Sequence, residues 1–213
     1  MKKVLQIALQ VIFLAMFVAL FVMGRIQLWM GIFAAGVLVS IFLGRLYCGW
    51  VCPINTLMRG VSWIKRKLRI KSFKIPKFLT KGWIRYLVLA LFIAMFIFVM
   101  ATGKQLPVLP GLLAIGVILT LFFPEELWHR YLCPYGTIFN LVSSKSIFFV
   151  NIDKEACTNC GVCKRVCPAA AVSNENDVHE IEKNACLVCL ECERQCKVKA
   201  ISYERKQTKE SVN

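Results

Sequence analysis

The chain has 213 residues, is 58% hydrophobic and carries 11 Cys. That apolar share excludes an ordinary soluble domain and points to membrane spans. The formal charge of +15 sits in the apolar half: residues 1–152 hold 17 Lys and Arg against 2 acids, whereas 153–205 hold 8 against 9. This placement excludes a basic nucleic-acid-binding arm and fits basic loops facing lipid headgroups.

Met1-Lys2-Lys3 precedes Val4 to Met23, an apolar stretch broken only by Gln6 and Gln10. It is long enough to cross a hydrocarbon core of about 30 Å. A signal peptide would show a shorter apolar stretch and a small-residue cleavage site, and neither is evident. Leu28 to Leu43 is the second predicted span, closed by Gly44-Arg45. Tyr86 to Ala101 is the third, with Trp83 as an interfacial anchor, and Pro110 to Phe123 is the fourth and shortest. The loop from Arg45 to Arg85 holds 11 Lys and Arg, while the other two loops hold Arg25 and Lys104. This predicts a multi-pass protein of the inner (cytoplasmic) membrane with both termini cytoplasmic. The four spans contain no Asp, Glu, Lys, Arg or His, which argues against a proton path or a bis-histidine haem within the bilayer.

The second span runs into LYCGWVCPIN at 46–55. Ile54, Leu57, Met58, Val61, Ile64 and Leu68 then recur at helical spacing after Pro53, which predicts a basic interfacial helix over 54–70. The fourth span runs into LWHRYLCPYG at 127–136. A shift of 81 places Leu46 on Leu127, Tyr47 on Trp128, Cys52 on Cys133 and Pro53 on Pro134, but Cys48 on His129. The membrane part, 1–146, is thus two duplicated hairpins with their motifs on the same side. If 48–52 is helical, Cys48 and Cys52 share a face, and His129 and Cys133 have the same spacing. Thiolates and imidazole suit an iron–sulfur centre, zinc or Cu(I). Cys48, Cys52, His129 and Cys133 are therefore candidate ligands of one shared metal site. Redox-active thiols and a purely structural role are the alternatives.

Residues 157–168 read CTNCGVCKRVCP and 186–197 read CLVCLECERQCK, two copies of C-x2-C-x2-C-x3-C offset by 29. Three thiolates on one tight loop hold three corners of a cubane, and the fourth cysteine reaches the other cluster. The first cluster would take Cys157, Cys160, Cys163 and Cys196, and the second Cys186, Cys189, Cys192 and Cys167. Zinc knuckles and extracellular disulfide frameworks use other spacings. Short strands are expected over 147–152, at Val172 with 178–181, and over 200–203, in a ferredoxin-like α+β domain spanning 147–205. His179, between strands, is expected on the surface. Lys197 replaces the proline that Pro168 supplies in the first run and should raise a cluster potential somewhat. Residues 206–213 are expected to be a disordered tail.

Four spans, paired CxxxCP-like motifs and a C-terminal dicluster domain resemble the NapH-type membrane iron–sulfur proteins and the membrane part of NosR-type proteins. The resemblance covers nearly the whole chain before 205. Cys48, Cys52 and Pro53 match the first family motif in full; Cys133 and Pro134 alone match the second. The resemblance implies a membrane-anchored subunit with two [4Fe-4S] clusters. Electrons would pass between a quinone pool, or a soluble ferredoxin-like donor, and a partner redox protein. Some relatives are tied instead to assembly or regulation of respiratory metalloenzymes. No GxGxxG, P-loop or flavin-attachment sequence occurs, so a carrier or oxidoreductase subunit is expected, not a stand-alone enzyme.

Overall fold

The computed structural model describes residues 2–102, 108–175 and 178–205. The expected disordered tail and the loop holding Lys104 lie outside the described residues. Helices α1 (Lys2–Val22), α2 (Leu28–Leu43), α5 (Gly82–Thr102) and α6 (Val108–Phe122) fall on the four apolar stretches. Of these, α1 and α5 are long and apolar enough to cross a membrane. Their apolar windows are only 17% and 6% buried, so neither is the shielded core helix of a water-soluble fold. Helices α2 and α6 are apolar but shorter.

Between α2 and α5 lie α3 (Leu46–Trp50) and α4 (Pro53–Lys67). Helix α4 buries Ile54 and Met58 against Trp128 and α6 and leaves Trp63, Ile64 and Leu68 exposed. Lys65 is buried, and its Nζ donates to the carbonyls of Thr120 at 2.8 Å and Phe123 at 3.4 Å. A cation thus occupies the C-terminal end of α6, where unpaired carbonyls and the helix dipole favour it. Residues 127–132 form a π-helical turn, followed by α7 (Pro134–Ser143), a stretch for which no element is predicted. Phe139 on α7 is fully buried, stacks on Tyr47 at 5.2 Å and meets Phe33 edge-on at 5.4 Å. This aromatic contact ties α2, α3 and α7 into one core.

The C-terminal module pairs β1 (Phe148–Ile152) with β4 (Ile201–Arg205) and β2 (Val172–Glu175) with β3 (Val178–Ile181), both antiparallel. One-turn helices α8 (Val162–Val166) and α9 (Glu191–Gln195) follow the two cysteine loops. The 29-residue repeat is a repeat of backbone shape. Asn159 and Val188, Gly161 and Leu190, and Ala170 and Lys199 are matched pairs, all with positive φ. Valine and leucine accept that strained region only where the loop as a whole demands it. The module rests on the helix ends: Tyr203 Oη donates to Leu43 O at 2.9 Å and Ile147 N to Phe42 O at 3.1 Å.

Candidate metal centres and their junction

The crossed cysteine sets converge in two hollows. Cys157, Cys160, Cys163 and Cys196 line one, with Ile152 and Ile201 in its wall. Cys167, Cys186, Cys189 and Cys192 line the other, with Val172 and Ile181 in the repeat-equivalent places. The residues fit a cluster: four cysteines in each lining, an apolar wall and, in the second hollow, backbone amides close to sulfur. Ala171 N lies 3.3 Å from Cys167 Sγ, and Val188 N lies 3.5 Å from Cys186 Sγ. All 11 cysteines are free thiols. Burial pushes the Cys186 thiol up to about 12, so it is neutral until an iron centre claims its proton.

The paired motifs also share a shape. Cys52 N donates to Tyr47 O at 2.9 Å and Cys133 N to Trp128 O at 2.8 Å. Both are i→i−5 bonds, the mark of a π-bulge, which recurs at functional sites. Each cysteine then sits at the N-cap of a helix whose first residue is proline, and Cys133 Sγ accepts the Gly136 N–H at 3.2 Å. Thr56 and Thr137 hydroxyls close the two caps on the carbonyls of Cys52 and Cys133, at 3.1 and 3.2 Å. The expected single helical face is therefore corrected. Cys48 lies in α3, but Cys52 is extended (φ −64, ψ 118), as is Cys133 (φ −76, ψ 111). A proline presses the residue before it out of the α region.

Cys48, Cys52 and Cys133 nevertheless meet, packed in one apolar cluster with Tyr47, Tyr135 and Phe139. Among the described residues, no three His, Cys, Asp or Glu side chains converge tightly enough to hold a single metal ion. His129 is 6% exposed, and its Nε2 has no partner; Asn55 and the Trp128 indole N–H are likewise buried and unpaired. Buried polar groups without partners are rare in native folds. Burial, then Arg45 and Arg59, pull His129 down to about 3, which leaves the neutral imidazole that binds metals. Burial pushes Cys133 up to about 12 and Cys52 further. Such thiols lack the thiolate character that a freely reacting redox pair needs.

Sequence reasoning missed how the motif meets the module. Cys48 and Cys189 belong to the same buried cluster, with Cys52, Cys133, Cys167 and Cys186 packed against it. Gly49 lies against the loop at 187–189, close enough that a Cβ would collide with the Leu187 carbonyl and sit 3.2 Å from Cys189 N. Trp50 Nε1 donates to Val188 O at 2.9 Å. Arg45, 2% exposed, donates to the carbonyls of Asn184 and Ala185, each at 3.2 Å. Gln6 and Gln10 both donate to Gly49 O, at 3.0 and 2.9 Å. The available signal was that pair of glutamines, one helical turn apart in an otherwise apolar span.

Beside this junction lies a cleft of about 770 Å³ between α4, the end of α6 and the module, with Cys167 in its wall. Arg59, Arg66, Lys164 and Arg165 face Glu125 and Glu191 across it. Arg59 pairs with Glu191 at 2.7 Å. Burial raises Glu191, but Arg194 and Arg59 outweigh it and hold the carboxyl at about 2. Glu125 has no such pairing: Oε2 is buried without a partner, and burial holds the carboxyl above the usual range despite Ser62, Arg59 and Arg66. The unfolded chain ionises this group from about pH 4.3, whereas the folded chain ionises it later. Stability is therefore lost as pH rises between the two values. Glu125→Gln should unfold at a higher temperature than the parent at pH 7.5, with the gap narrowing toward pH 5. Thermal unfolding in detergent at both pH values checks this.

His179, expected on the surface, is instead 4% exposed and lines the hollow of Cys157, Cys160, Cys163 and Cys196. Its place in β3 turns it inward, while Glu180 beside it is exposed.

Two four-cysteine hollows in a duplicated β–α frame define a ferredoxin-type iron–sulfur protein. A 4Fe-4S dicluster domain model matches residues 149–197. A 4Fe-4S binding domain model matches 25–71 and again 105–151, the two halves that carry the paired motifs. The ferredoxin-type protein NapH of Haemophilus influenzae is 31% identical over 140 residues, covering 60% of this chain and 49% of that protein. The methylamine utilization ferredoxin-type protein MauN of Methylorubrum extorquens is 30% identical over 159 residues, covering 68% and 55%. NapH of Escherichia coli is 27% identical over 141 residues, covering 58% and 47%. The chain spans about half the length of the curated relatives it matches. No solved structure matches it. The chain carries 4Fe-4S domains and is similar to the NapH-type and MauN-type ferredoxin-type proteins.

Proposed function

We propose that the protein is a membrane-anchored electron-transfer subunit that works at the cytoplasmic face. The apolar helices α1, α2, α5 and α6 cross the lipid, and the basic segment after α2 holds the motif side in the cytoplasm. The module carries two [4Fe-4S] clusters with the crossed ligand sets, Cys157, Cys160, Cys163 and Cys196 for one and Cys186, Cys189, Cys192 and Cys167 for the other. Electrons pass between a soluble or partner redox protein at the first cluster and the membrane surface beyond the second. Cys48, Cys52, Cys133 and His129 are the candidate ligands of a third centre there, which would require them to draw closer than their present spacing. A quinone headgroup is served from the adjoining cleft, where Glu125 is a buried acid that can exchange a proton with a ligand.

One observation carries this reading: Cys167, Cys186 and Cys189 of the second hollow and Cys48, Cys52 and Cys133 of the paired motifs pack into one contiguous apolar cluster. A relay needs its centres close and shielded from water, and a module tethered only as a structural cap does not.

Two measurements test it. Protein purified without air should contain metal beyond the about eight irons of two cubanes. His129→Cys should keep the additional centre with altered spectra, and His129→Ala should lose it. A count of about eight, identical in all three proteins, removes the third centre. In stopped flow, a quinol analogue or a reduced ferredoxin should reduce the clusters. If neither donor reduces them and no quinone oxidises them, the relay reading fails.

A further inference from the structure

We infer that His179 hydrogen-bonds the sulfur of the cluster held by Cys157, Cys160, Cys163 and Cys196, and so sets the potential of that cluster apart from its twin. The inference rests on the cluster assignment proposed above.

His179 is 4% exposed, and neither Nδ1 nor Nε2 has a partner. An orphaned buried polar group is costly, so a ring left dry on both nitrogens needs an acceptor. The hollow it lines is walled by apolar side chains such as Ile152, Val198 and Ile201. Its other polar side chain, Thr158, makes no hydrogen bond to His179, whose nitrogens are both unpartnered. Sulfur is the acceptor chemistry that remains. The ring is also aimed at the right loop. Nε2 lies 3.7 Å from where a Cβ would stand on Gly161, between Cys160 and Cys163. Gly161 has φ +69 and no side chain to push the ring away.

The repeat supplies an internal control. A shift of 29 carries Val150 in β1 onto His179 in β3. Val150 is 1% exposed and offers no hydrogen bond. One cluster thus has a donor where its duplicate has an isopropyl group. Reduction adds one electron, which resides on iron and sulfur. The N–H stays on the imidazole, and its dipole stabilises the added charge. Hydrogen bonds to sulfur are among the factors that set cluster potential, so this cluster is the easier to reduce for having His179.

The test uses full-length protein purified without air, with His179→Phe and His179→Gln. In EPR-monitored titrations, His179→Phe should lower one of the two midpoint potentials and leave the other in place. His179→Gln, which keeps a donor, should fall between. In D2O, the reduced parent should show an exchangeable deuteron coupled to the cluster, absent from His179→Phe. Unmoved midpoints with the parent's iron content overturn the inference, and so does an equal shift of both. Loss of about four irons in both variants also overturns it, because the ring would then be holding the loop. Donor and quinone kinetics are read separately: a protein that exchanges no electrons with either, yet shows the His179-dependent midpoint, sinks the proposed function alone.

Discussion

Gly49→Val should cost the protein the cluster assigned to Cys186, Cys189, Cys192 and Cys167, while sparing the other. Iron should fall by about four atoms, and the EPR signal of one reduced cluster should vanish. The reason lies in what a Cβ would strike. The Leu187 carbonyl, Cys189 N and Cys189 Cα are all backbone, and none can swing aside as a side chain could. Overpacking ordinarily costs about 1–3 kcal/mol. Here the strain falls on a loop already bent through left-handed Val188 and Leu190. The carbonyl of Gly49 is pinned from behind by Gln6 and Gln10, so α3 cannot retreat. Gly60→Ala is the control, because nothing lies within 4 Å of a Cβ there. Parent-like iron in Gly49→Val would show that the module does not seat on α3 as described.

The second large effect belongs to Arg45. Its Nη1 serves two carbonyls of the module, and its charge favours the thiolate forms of Cys48, Cys133 and Cys186. Arg45→Met keeps most of the volume and removes both roles. Buried acceptors left unpaired cost about 1–3 kcal/mol each, so a destabilisation of roughly 2–5 kcal/mol is expected. Denaturant unfolding in detergent measures it. Arg45→Lys keeps the charge and should recover part of the loss, since both carbonyls are served by a single guanidinium nitrogen. Arg45→Met, which removes the charge, should also lower the potential of whichever centre lies nearest the motif. A neutral result in both measurements would mean that the two carbonyls find other donors and that the guanidinium is not the bridge.

The apolar helices, the duplicated hairpins and the ferredoxin module were legible because each rests on a long period or a strict spacing. The four cysteines in each hollow could be grouped before any coordinates, since loop length alone decides which thiol can reach which corner. What failed was local. The helical-face argument for Cys48 and Cys52 overlooked Pro53, although a proline's effect on its predecessor is written in the sequence. Helix α7 was missed because Gly136, Thr137 and Asn140 read as loop chemistry, while the buried Phe139 that holds it needs Tyr47 to pack on. His179 was misplaced for a different reason. A lone histidine in a four-residue strand carries no sign of which face is inward until the hollow exists. Arg45 and Gly49 matter through partners about 140 residues away along the chain, a separation at which single-sequence patterns are silent.

The two glutamines of α1 have a practical consequence. Gln6 grips Gly49 with its amide and receives Arg194 Nη1 on its carbonyl at 2.9 Å. Arg194 lies in α9, between Cys192 and Cys196, one cysteine from each hollow. The first helix is therefore tied, through Arg194, to the short helix that joins the two cysteine hollows. An affinity tag or reporter fused ahead of Lys2 that tilts this helix would strain the Gln6 and Gln10 contacts to Gly49 and Arg194, so tags for spectroscopy are better placed at the other terminus.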